Sequence, residues 1–509
     1  MGRVELTGND LGFEELYDVV YAGREAGLAG AARAGVEASR AVVERLLASG
    51  ATAYGINTGF GELSSVRIPP EQVRQLQVNL VRSHACGVGA PLTEAETRAV
   101  MLLRANALAK GLSGVRPVVI ETLCAMLARG VHPVIPAQGS VGASGDLAPL
   151  AHLALVAIGE GEAMVGGKRL AGGEAMRGAG IPPLALEAKE GLALLNGTQG
   201  MLALGALALR ESWLLADTAD AAAAMSLDAL RGSPAAFDAR IQQARPLGGQ
   251  GVVAERLRRM NEGSEIRESH RSAERDPRVQ DAYSLRCTPQ VHGAARDVLE
   301  QAARTLKIEL NSATDNPLVF PAAGGRPEAV LSGGNFHGQP LAMAADQMAL
   351  ALATLAGISE RRIEHMTNPH TSLLPAFLVA NPGLNSGFMM MQVTAAALAS
   401  ETKTLAAPHS VDSIPTSANQ EDYVSMGMAA ARRLRPMLDN LRNILAMELL
   451  CACQGIDLLA PLRTSEKGRR LHALVRGVSA KVEQDRVMAG DIAAVAGLVA
   501  EGKIAEPVR

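Results

Sequence analysis

The sequence predicts a mainly α-helical protein, built as a long central helix bundle with a loop-rich N-terminal part. Apolar residues recur at spacings of three and four over long runs, which is typical of helices with one buried face. Ala, Leu, Met, Arg and Glu, all good helix formers, dominate these runs, and alternating strand patterns are scarce. The predicted helical runs are 96–113, 117–129, 201–231, 294–311, 340–360, 390–406, 426–451 and 468–500.

Short strands and one very apolar stretch complete the predicted elements. Residues 163–170 and 317–320 are the strand candidates. Residues 191–209 are interrupted by Asn196 and Thr198, so a buried helix is a better prediction than a membrane span. Long helices begin near residues 190–200. We therefore predict an N-terminal region 1–200 and a second region 201–509 with the central bundle and the C-terminal helices.

Length, charge and cysteine content argue against several classes of function. The chain has 509 residues and a formal net charge of −3, which argues against a nucleic-acid or anionic-membrane surface. No stretch is predicted to cross a membrane, and the N-terminus has no apolar signal-peptide core. Five cysteines, an odd number, favour reduced thiols in the cytoplasm. No metal site is predicted, since H-E-x-x-H is absent and the C-x-C pair at Cys451 and Cys453 lacks a second pair.

The most informative motif is Ala143-Ser144-Gly145, within GSVGASGDLAPLAHLAL (139–155). Gly145 has no side chain, so its amide nitrogen can approach the carbonyl carbon of Ala143 closely. Ring closure there, with loss of water from the backbone and from the Ser144 hydroxyl, would give 4-methylideneimidazol-5-one (MIO). This ring is an electrophile, which no standard side chain supplies.

The surroundings of this motif support the interpretation more than the tripeptide itself does. A second copy, Ala48-Ser49-Gly50, ends a helix-like run and is predicted to be an ordinary helix C-terminus. Before Ala143-Ser144-Gly145, the residues Gly139 and Gly142 allow a tight backbone turn. After it, Asp146 is expected to cap an apolar helix that has Pro149 in its first turn. A serine-hydrolase elbow, G-x-S-x-G, is excluded because position 146 is Asp.

Two of the five tyrosines lie in polar surroundings. Tyr54 lies in a Gly- and Asn-rich loop between helices, and loops on rigid scaffolds concentrate functional groups. Tyr283 precedes Arg286 by three residues, which on a helix places both on one face, and Gln280 is nearby. A guanidinium is the usual partner of a carboxylate. The alternatives are a core tyrosine with a satisfied hydroxyl and an arginine in a surface ion pair.

Other polar and aromatic candidates lie near helix ends. Glu421, in PTSANQEDYVSMG (415–427), either belongs to the N-terminus of the following helix or points into a site and binds a cationic or hydrogen-bonding group. Phe336 lies between Gly-rich turns and a helix start, in LSGGNFHGQP (331–340). His84 lies in NLVRSHACGVG (79–89). Taken singly, each of these residues could be purely structural.

Taken together, these segments resemble the MIO-dependent aromatic amino acid ammonia-lyase family over essentially the whole chain. Within that family they are most similar to the branch that acts on L-histidine. The resemblance rests on YGINTGFG (54–61), NLVRSHACGVG, GSVGASGDLAPLAH, LLNGTQ (194–199), VQDAYSLRC (279–287), NSATDNPL (311–318), SGGNFHGQP, SERRIEHMTNP (359–369) and HSVDSIPTSANQED (409–422).

The resemblance implies a nearly all-helical homotetramer whose active sites contain residues from more than one subunit. It implies autocatalytic cyclisation of Ala143-Ser144-Gly145, with no external cofactor. It also implies that Tyr54 is the base for the β-proton, and that Tyr283 and Asn196 lie near the electrophile.

The resemblance further assigns substrate-binding residues. Arg286 would bind the substrate carboxylate, Gln280 would support the site and the ring, and Phe336 would pack beside the ring. Relatives that use tyrosine or phenylalanine carry His-Leu or Phe-Leu where this chain has Ser-His at 83–84. His84 can exchange hydrogen bonds with an imidazole, and Glu421 adds a negative partner for the far ring nitrogen. Both residues favour L-histidine as the substrate.

The expected reaction is elimination of ammonia from L-histidine to give trans-urocanate, the first step of histidine degradation. Tyr54 must be activated for this role, by helix N-termini or by Arg286. The residues are compatible with attack on the electrophile by the substrate's amine or by its ring. The alternatives are a tyrosine or phenylalanine ammonia-lyase, an aminomutase of the same family, or a helical scaffold without catalysis. Tyr423 stands where histidine-specific relatives often carry His, which bears on fine substrate tuning.

Overall fold

Helices make up most of the chain, which confirms the predicted mainly α-helical fold. The computed structural model describes residues 2–59, 61, 65–272, 274–276 and 278–508, so Phe60 of the YGINTGFG segment lies outside the described residues. The helices are α1 (Phe13–Tyr21), α2 (Gly30–Ser49), α3 (Val73–His84), α4 (Glu94–Ala109), α5 (Pro117–Ala128), α6 (Leu147–Ala157), α7 (Gly172–Gly178), α8 (Glu190–Leu195), α9 (Gln199–Ala229), α10 (Ala239–Ala244), α11 (Gly248–Asn261), α12 (Glu265–Ser269), α13 (Tyr283–Arg286), α14 (Thr288–Glu309), α15 (Gln339–Thr367), α16 (Pro369–Ser372), α17 (Met389–Leu405), α18 (Gly427–Arg432), α19 (Leu434–Leu458), α20 (Glu466–Arg476) and α21 (Ala489–Ala500).

The chain divides into two compact units, each assembled from three stretches of sequence. The single boundary near residue 200 therefore stays a prediction. Unit 1 comprises Met1–Leu207, Ala303–Asp346 and Pro408–Arg432, and unit 2 comprises Ala208–Ala302, Gln347–Ala407 and Arg433–Arg509.

The described strands are short and all belong to unit 1. The strand candidate 163–170 is a hairpin whose two strands pair Ala163 with Leu170, across a turn at Gly166 and Gly167, both with positive φ. The candidate 317–320 is also a strand. The strands are β1 (Val4–Leu6), parallel to β2 (Ala26–Leu28); β3 (Val88–Pro91), antiparallel to β5 (Pro136–Gln138); β4 (His132–Pro133), β6 (Glu162–Val165) and β7 (Lys168–Ala171), in one antiparallel sheet; and β8 (Leu318–Phe320), antiparallel to β9 (Ala329–Leu331).

Local sequence explains where several helices begin and end. Thr93 accepts a hydrogen bond from the Glu96 amide, and the Glu96 carboxylate accepts one from the Thr93 amide, which forms a capping box before α4. Helix α5 begins at Pro117, which needs no partner for an amide hydrogen. Helix α2 ends at Ser49 with Gly50 in the left-handed region, at φ +69°, as the sequence predicts for this copy of the tripeptide.

Three predicted helical runs are interrupted. The run 468–500 is wrong as one helix, because the charged stretch 477–488 between α20 and α21 offers no continuous apolar face. The run 426–451 corresponds to the separate helices α18 and α19. The buried helix expected over 191–209 is two helices, α8 and α9, separated at 196–198. This last interruption has a consequence for the site, because the backbone of Gly197 pairs with Gly145.

In unit 1 the helices α3, α6 and α8 pack against one another, and α4 packs against α1 and α5. A cluster of buried side chains anchors the loop that carries Tyr54, because Ile56, two residues further on, is fully buried in that cluster. Its buried members are Val42, Val43, Ile56, Val73, Ala188 and Val319.

In unit 2 the long helix α19 packs against α17 and α21. Its Glu448 forms an ion pair with Arg362 of α15, with 2.5 Å between Nε and Oε1, and both side chains are fully buried. Ser226 and Ser359 donate further hydrogen bonds to the two oxygens of Glu448. The carboxylate is thus fully surrounded by donors, as a charge in an apolar interior requires.

Helix α15 is, among the described residues, the one helix long and apolar enough to cross a membrane by length and composition. The sequence prediction did not single it out. The most apolar 18-residue stretch of this helix is 67% buried inside the protein. The core helix of a globular protein can be equally long and apolar.

We predict that Arg362→Met destabilises the protein by about 3–5 kcal/mol, because it leaves Glu448 buried without its charge partner. The matched control is Arg361→Met at the next position, where the arginine is 57% exposed and pairs with Glu360. Loss of that pair should cost under about 1 kcal/mol. Urea denaturation of the two variants measures the difference, and equal midpoints would contradict a structural role for the buried pair.

Candidate active site

The packing of α3, α6 and α8 brings together three residues that are far apart in sequence. His84 ends α3, Ser144 lies just before α6, and Asn196 follows α8 directly. These three residues line one cavity of about 540 Å³ together with Tyr54 and Glu421. This size suits a small-molecule ligand. We call this cavity the inner cavity; its apolar wall consists of Val66, Ile68, Leu76, Leu80, Leu147 and Leu192.

A second cavity of about 550 Å³, here called the outer cavity, shares part of this lining. Tyr54, Gly61, Ser144 and Glu421 line both cavities. The outer cavity is lined in addition by Phe336, and its other residues are Thr52, Thr58, Ala143, Asn316, Ser332, Gly333, His337, Gln420, Asp422 and Tyr423. Ser144 and Tyr54 therefore lie where the two cavities meet, in unit 1.

The backbone at the tripeptide has an uncommon conformation. Ser144 has φ +57°, a left-handed value that costs free energy for any residue with a side chain. Gly145 has φ +71°, and a Cβ atom at this position would lie 1.9 Å from the carbonyl oxygen of Gly197. Only glycine therefore allows the approach of the two chain segments.

Two hydrogen bonds hold the tripeptide against the interruption between α8 and α9. The Asp146 amide donates to the Gly197 carbonyl at 2.7 Å, and the Gly197 amide donates to the Ser144 carbonyl at 3.3 Å. On the other side, the Gly142 carbonyl accepts from the Gly338 amide at 2.9 Å and from the Ser425 hydroxyl at 2.7 Å. The peptide planes on both sides of Ala143 and Ser144 are thus fixed by separate elements of unit 1.

Asp146 occupies the N-cap position of α6, but the prediction that its side chain caps this helix is wrong. Its carboxylate instead accepts from the Met201 amide in α9 and from the Ser140 hydroxyl, both at 2.8 Å. Burial raises the pKa of Asp146 to about 6, against the effect of these hydrogen bonds. The side chain connects the loop to a second helix, while Pro149 lies in the first turn of α6 as predicted.

Burial sets the protonation of the two titratable rings of the inner cavity. Burial raises the pKa of the Tyr54 hydroxyl, a hydrogen bond from the Gly61 amide opposes this, and the charge of Glu421 adds to it. Burial lowers the pKa of His84. The His84 Nδ1 lies 2.9 Å from the Leu80 carbonyl oxygen and 3.0 Å from the Ser83 hydroxyl. The tautomer that donates from Nδ1 to this carbonyl keeps Nε2 as a hydrogen-bond acceptor.

Glu421 points into the cavities and does not cap a helix, since the next helix begins only at Gly427. Its carboxylate accepts from the Thr416 hydroxyl at 2.8 Å. Nearby, the rings of Tyr423 and His337 are stacked, with centroids 6.2 Å apart.

Several residues of the outer cavity are not among the predicted site residues. His337 directly follows Phe336 in a segment that the resemblance includes, which was an available signal. Asn316 accepts from the Ser332 hydroxyl at 3.2 Å and from the Gly333 amide at 2.8 Å, and so joins two loops of the wall. Next to it, Asp315 forms a buried ion pair with Lys189 at 2.6 Å, a contact that sequence spacing does not reveal.

Tyr283, Arg286 and Gln280 belong to unit 2. The predicted helical spacing is confirmed: Tyr283 begins α13, and the Arg286 guanidinium lies over its ring at 4.7 Å from the centroid. Tyr283 is 70% exposed, and Val279 beside it is 95% exposed. Gln280 lines another cavity, of about 420 Å³, with Arg278. The two cavities around Ser144 are lined by residues of unit 1 alone.

The family model of aromatic amino acid lyases matches residues 11–477. The chain belongs to the aromatic amino acid lyase family. The histidine ammonia-lyase of Koribacter versatilis is 56% identical over 518 residues, covering 100% of both chains. The structure of histidine ammonia-lyase from Trypanosoma cruzi has a TM-score of 0.91 at 46% identity and covers 99% of this chain and 95% of its own. Tyrosine aminomutase from Streptomyces globisporus has a TM-score of 0.94 at 38% identity, covering 99% and 98%.

These comparisons confirm the family that the sequence motifs indicate, and with it an enzyme of the lyase class. An aromatic amino acid lyase and an aminomutase share this fold at nearly equal TM-scores. Substrate and reaction therefore depend on the side chains of the site and not on the fold.

We predict that Gly145→Ala destabilises the protein far more than Gly23→Ala. Both glycines have left-handed backbones, at φ +71° and +69°, so both variants carry a conformational cost of about 1–2 kcal/mol. A Cβ atom at Gly23 meets nothing within 4 Å, whereas at Gly145 it meets the carbonyl of Gly197. Thermal and urea denaturation measure the difference, and equal losses of stability would contradict the close approach of Gly145 and Gly197.

Proposed function

We propose that this protein is a histidine ammonia-lyase that eliminates ammonia from L-histidine without oxidation and releases trans-urocanate, the first step of histidine degradation. The observation that carries the proposal is one cavity lined by Ser144, His84 and Glu421 together. The full-length identity of 56% to the Koribacter versatilis histidine ammonia-lyase supports it.

Ala143-Ser144-Gly145 is proposed to close into MIO, with no external cofactor and no metal. The residues present fit this group: Ser144 and Gly145 have left-handed backbones, and their neighbours Gly142, Ala143 and Asp146 are buried. Among the described residues, the buried Oδ1 atom of Asn196 has no hydrogen-bond partner, and Asn196 lines the same cavity. Once formed, the ring supplies an electrophile that withdraws electrons from the bound amino acid, so that ammonia can leave.

His84 and Glu421 are proposed to select an imidazole ring. The neutral His84 offers Nε2, and Glu421 offers a carboxylate, so the two N–H groups of a protonated imidazole ring can donate to both acceptors. A phenyl or phenol ring leaves at least one of these acceptors unpaired in the cavity, which lowers its binding free energy. The apolar wall of the inner cavity is suited to the faces of the flat ring. Phe336 is proposed to pack beside MIO, from the outer cavity.

Tyr54 is proposed as the base that removes the β-proton. Burial and the charge of Glu421 raise the pKa of its hydroxyl, against the hydrogen bond from the Gly61 amide, so a nearby positive charge would make Tyr54 a better base at neutral pH. Arg286 of a neighbouring copy is proposed to supply this charge and to bind the substrate carboxylate. Tyr283 and Gln280 are proposed to reach the site with it.

We further propose that the protein is a homotetramer with active sites shared between subunits. The exposure of Tyr283 and Val279 on one segment supports this, since large exposed aromatic and apolar side chains favour burial against another chain. We also propose a cytoplasmic location, with which the free cysteines are compatible. Nucleic acids and membranes are not proposed as partners.

The substrate is tested by incubating the purified protein with L-histidine, L-tyrosine and L-phenylalanine and recording ultraviolet spectra of the products. We expect trans-urocanate from L-histidine and at least about 100-fold lower kcat/KM on the other two, because their rings leave polar groups unpaired. Preferred formation of an aryl acrylate from tyrosine or phenylalanine, or of a β-amino acid, would favour the related lyases or aminomutases instead.

We predict that Ser144→Ala abolishes turnover of L-histidine while circular dichroism and thermal stability stay close to wild type. The matched control is Ser49→Ala, which makes the same change in the second Ala-Ser-Gly tripeptide, at the end of α2. This control should keep wild-type kcat. Turnover by the Ser144→Ala variant at a wild-type rate would refute the role of Ser144.

Shared active sites predict complementation between two impaired variants. Tyr54→Phe should lower kcat by about 10²–10⁴, because it removes the base, and Arg286→Met should lower kcat/KM strongly. Mixed oligomers of the two, formed by co-expression, should recover about a quarter of wild-type activity, since random assembly leaves that share of sites with both residues intact. Mixed oligomers no more active than the separate variants would indicate that one copy supplies both residues.

A further inference from the structure

A fully buried arginine lies behind the tripeptide. Arg104 of α4 is 0% exposed, and burial lowers its pKa to about 10, partly offset by the charge of Asp315. A guanidinium in an apolar interior is costly unless donors and acceptors are well matched.

Arg104 binds the segment in which the chain passes from α8 to α9. Its Nη1 donates to the Asn196 carbonyl at 2.9 Å and to the Gln199 side-chain oxygen at 2.6 Å. Its Nη2 donates to the Ala193 carbonyl. The side-chain Nε2 of Gln199 in turn donates to the Thr314 hydroxyl at 2.9 Å. The three acceptors of the guanidinium are amide oxygens of residues on either side of Gly197, which pairs with Gly145.

One peptide group connects Arg104 to the tripeptide. The Asn196 carbonyl and the Gly197 amide belong to the same trans peptide, so they point in opposite directions. Arg104 holds the carbonyl, and the amide donates to the Ser144 carbonyl at 3.3 Å. The Ser144 carbonyl belongs in turn to the peptide that contains the nitrogen of Gly145.

Gly197 is fitted to this arrangement. A Cβ atom at this position would lie 2.3 Å from Nη1 of Arg104 and 2.4 Å from the side-chain oxygen of Gln199. A side chain here would therefore displace the guanidinium. Two glycines, Gly145 and Gly197, thus allow a connected series of hydrogen bonds from a buried charge to the Ser144 carbonyl.

We propose that Arg104 is a positioning residue for the autocatalytic ring closure, an inference that rests on the proposed function. In that reaction the Gly145 nitrogen forms a bond to the carbonyl carbon of Ala143. The Ala143 oxygen leaves as water with the amide hydrogens of Gly145 and Ser144. The Ser144 hydroxyl leaves as a second water with the Cα hydrogen of Ser144. No oxidant or reductant is needed.

Arg104 acts on this reaction through the peptide between Asn196 and Gly197. It fixes the direction of the Gly197 amide and so the plane of the peptide between Ser144 and Gly145, whose nitrogen must face Ala143. Its charge also polarises the intervening peptide, so the Gly197 amide stabilises negative charge on the Ser144 oxygen as the Gly145 nitrogen loses its proton.

The test measures the mass of the proteolytic peptide that contains residues 143–145 from purified, soluble Arg104→Gln, Arg104→Lys and wild-type protein. The cyclised peptide is lighter by two water molecules. We expect the ratio of cyclised to linear peptide to fall at least about tenfold in Arg104→Gln, because a charge-assisted hydrogen bond is lost. Arg104→Lys should show an intermediate ratio, since an ammonium keeps the charge but not the planar arrangement of donors.

The matched control is Arg362→Lys, the same substitution at an arginine that is equally buried but lies in unit 2. We expect this variant to be less stable and fully cyclised. If it loses cyclisation as Arg104→Lys does, the effect is one of general stability and the inference is overturned. If Arg104→Gln is insoluble, Arg104→Lys decides, and a wild-type ratio in that variant overturns the inference.

The outcomes separate this inference from the proposed function. Full cyclisation in both Arg104 variants, with the wild type cyclised and active on L-histidine, overturns the inference alone. A linear peptide in wild-type protein overturns the proposed MIO group and the role of Arg104 together.

Discussion

The site depends on the contact between two backbones, at Gly145 and at Gly197. The contact exists because neither residue carries a Cβ atom, and the two hydrogen bonds across it hold the tripeptide in a left-handed conformation. It also explains why the apolar stretch 191–209 is not one helix. The chain is not helical at 196–198, and the backbone groups of Gly197 therefore pair with the loop before α6.

Buried polar side chains surround this contact and hold each of its parts. Asp146 ties the loop to α9, Arg104 ties the start of α9 to α4, and the pair of Lys189 and Asp315 lies beside the wall residue Asn316. Each group would be costly in an apolar core without partners, so the hydrogen bonds that these groups do form favour one geometry over its alternatives. Unit 2 likewise contains a buried ion pair, between Arg362 and Glu448, which connects the long helices α15 and α19.

Much of the fold and part of the site could be predicted from the sequence. Helical periodicity indicated most of the long helices because each buries one face, and the glycines around Ser144 indicated an uncommon backbone. What spacing could not give was the partner of each polar group. Asp146 has the sequence position of a helix cap, yet its carboxylate binds a helix that begins more than fifty residues later. Similarly, the raised pKa of Tyr54 results from burial and from Glu421, which is remote in sequence.

The most direct test of this account is an experimental electron-density map of residues 142–146 at high resolution. The account predicts continuous density between the Gly145 nitrogen and the Ala143 carbonyl carbon, no density for the Ser144 hydroxyl oxygen, and the Gly197 amide within hydrogen-bond distance of the Ser144 carbonyl oxygen. Density for an ordinary linear Ala-Ser-Gly peptide in protein that converts L-histidine to trans-urocanate would contradict it.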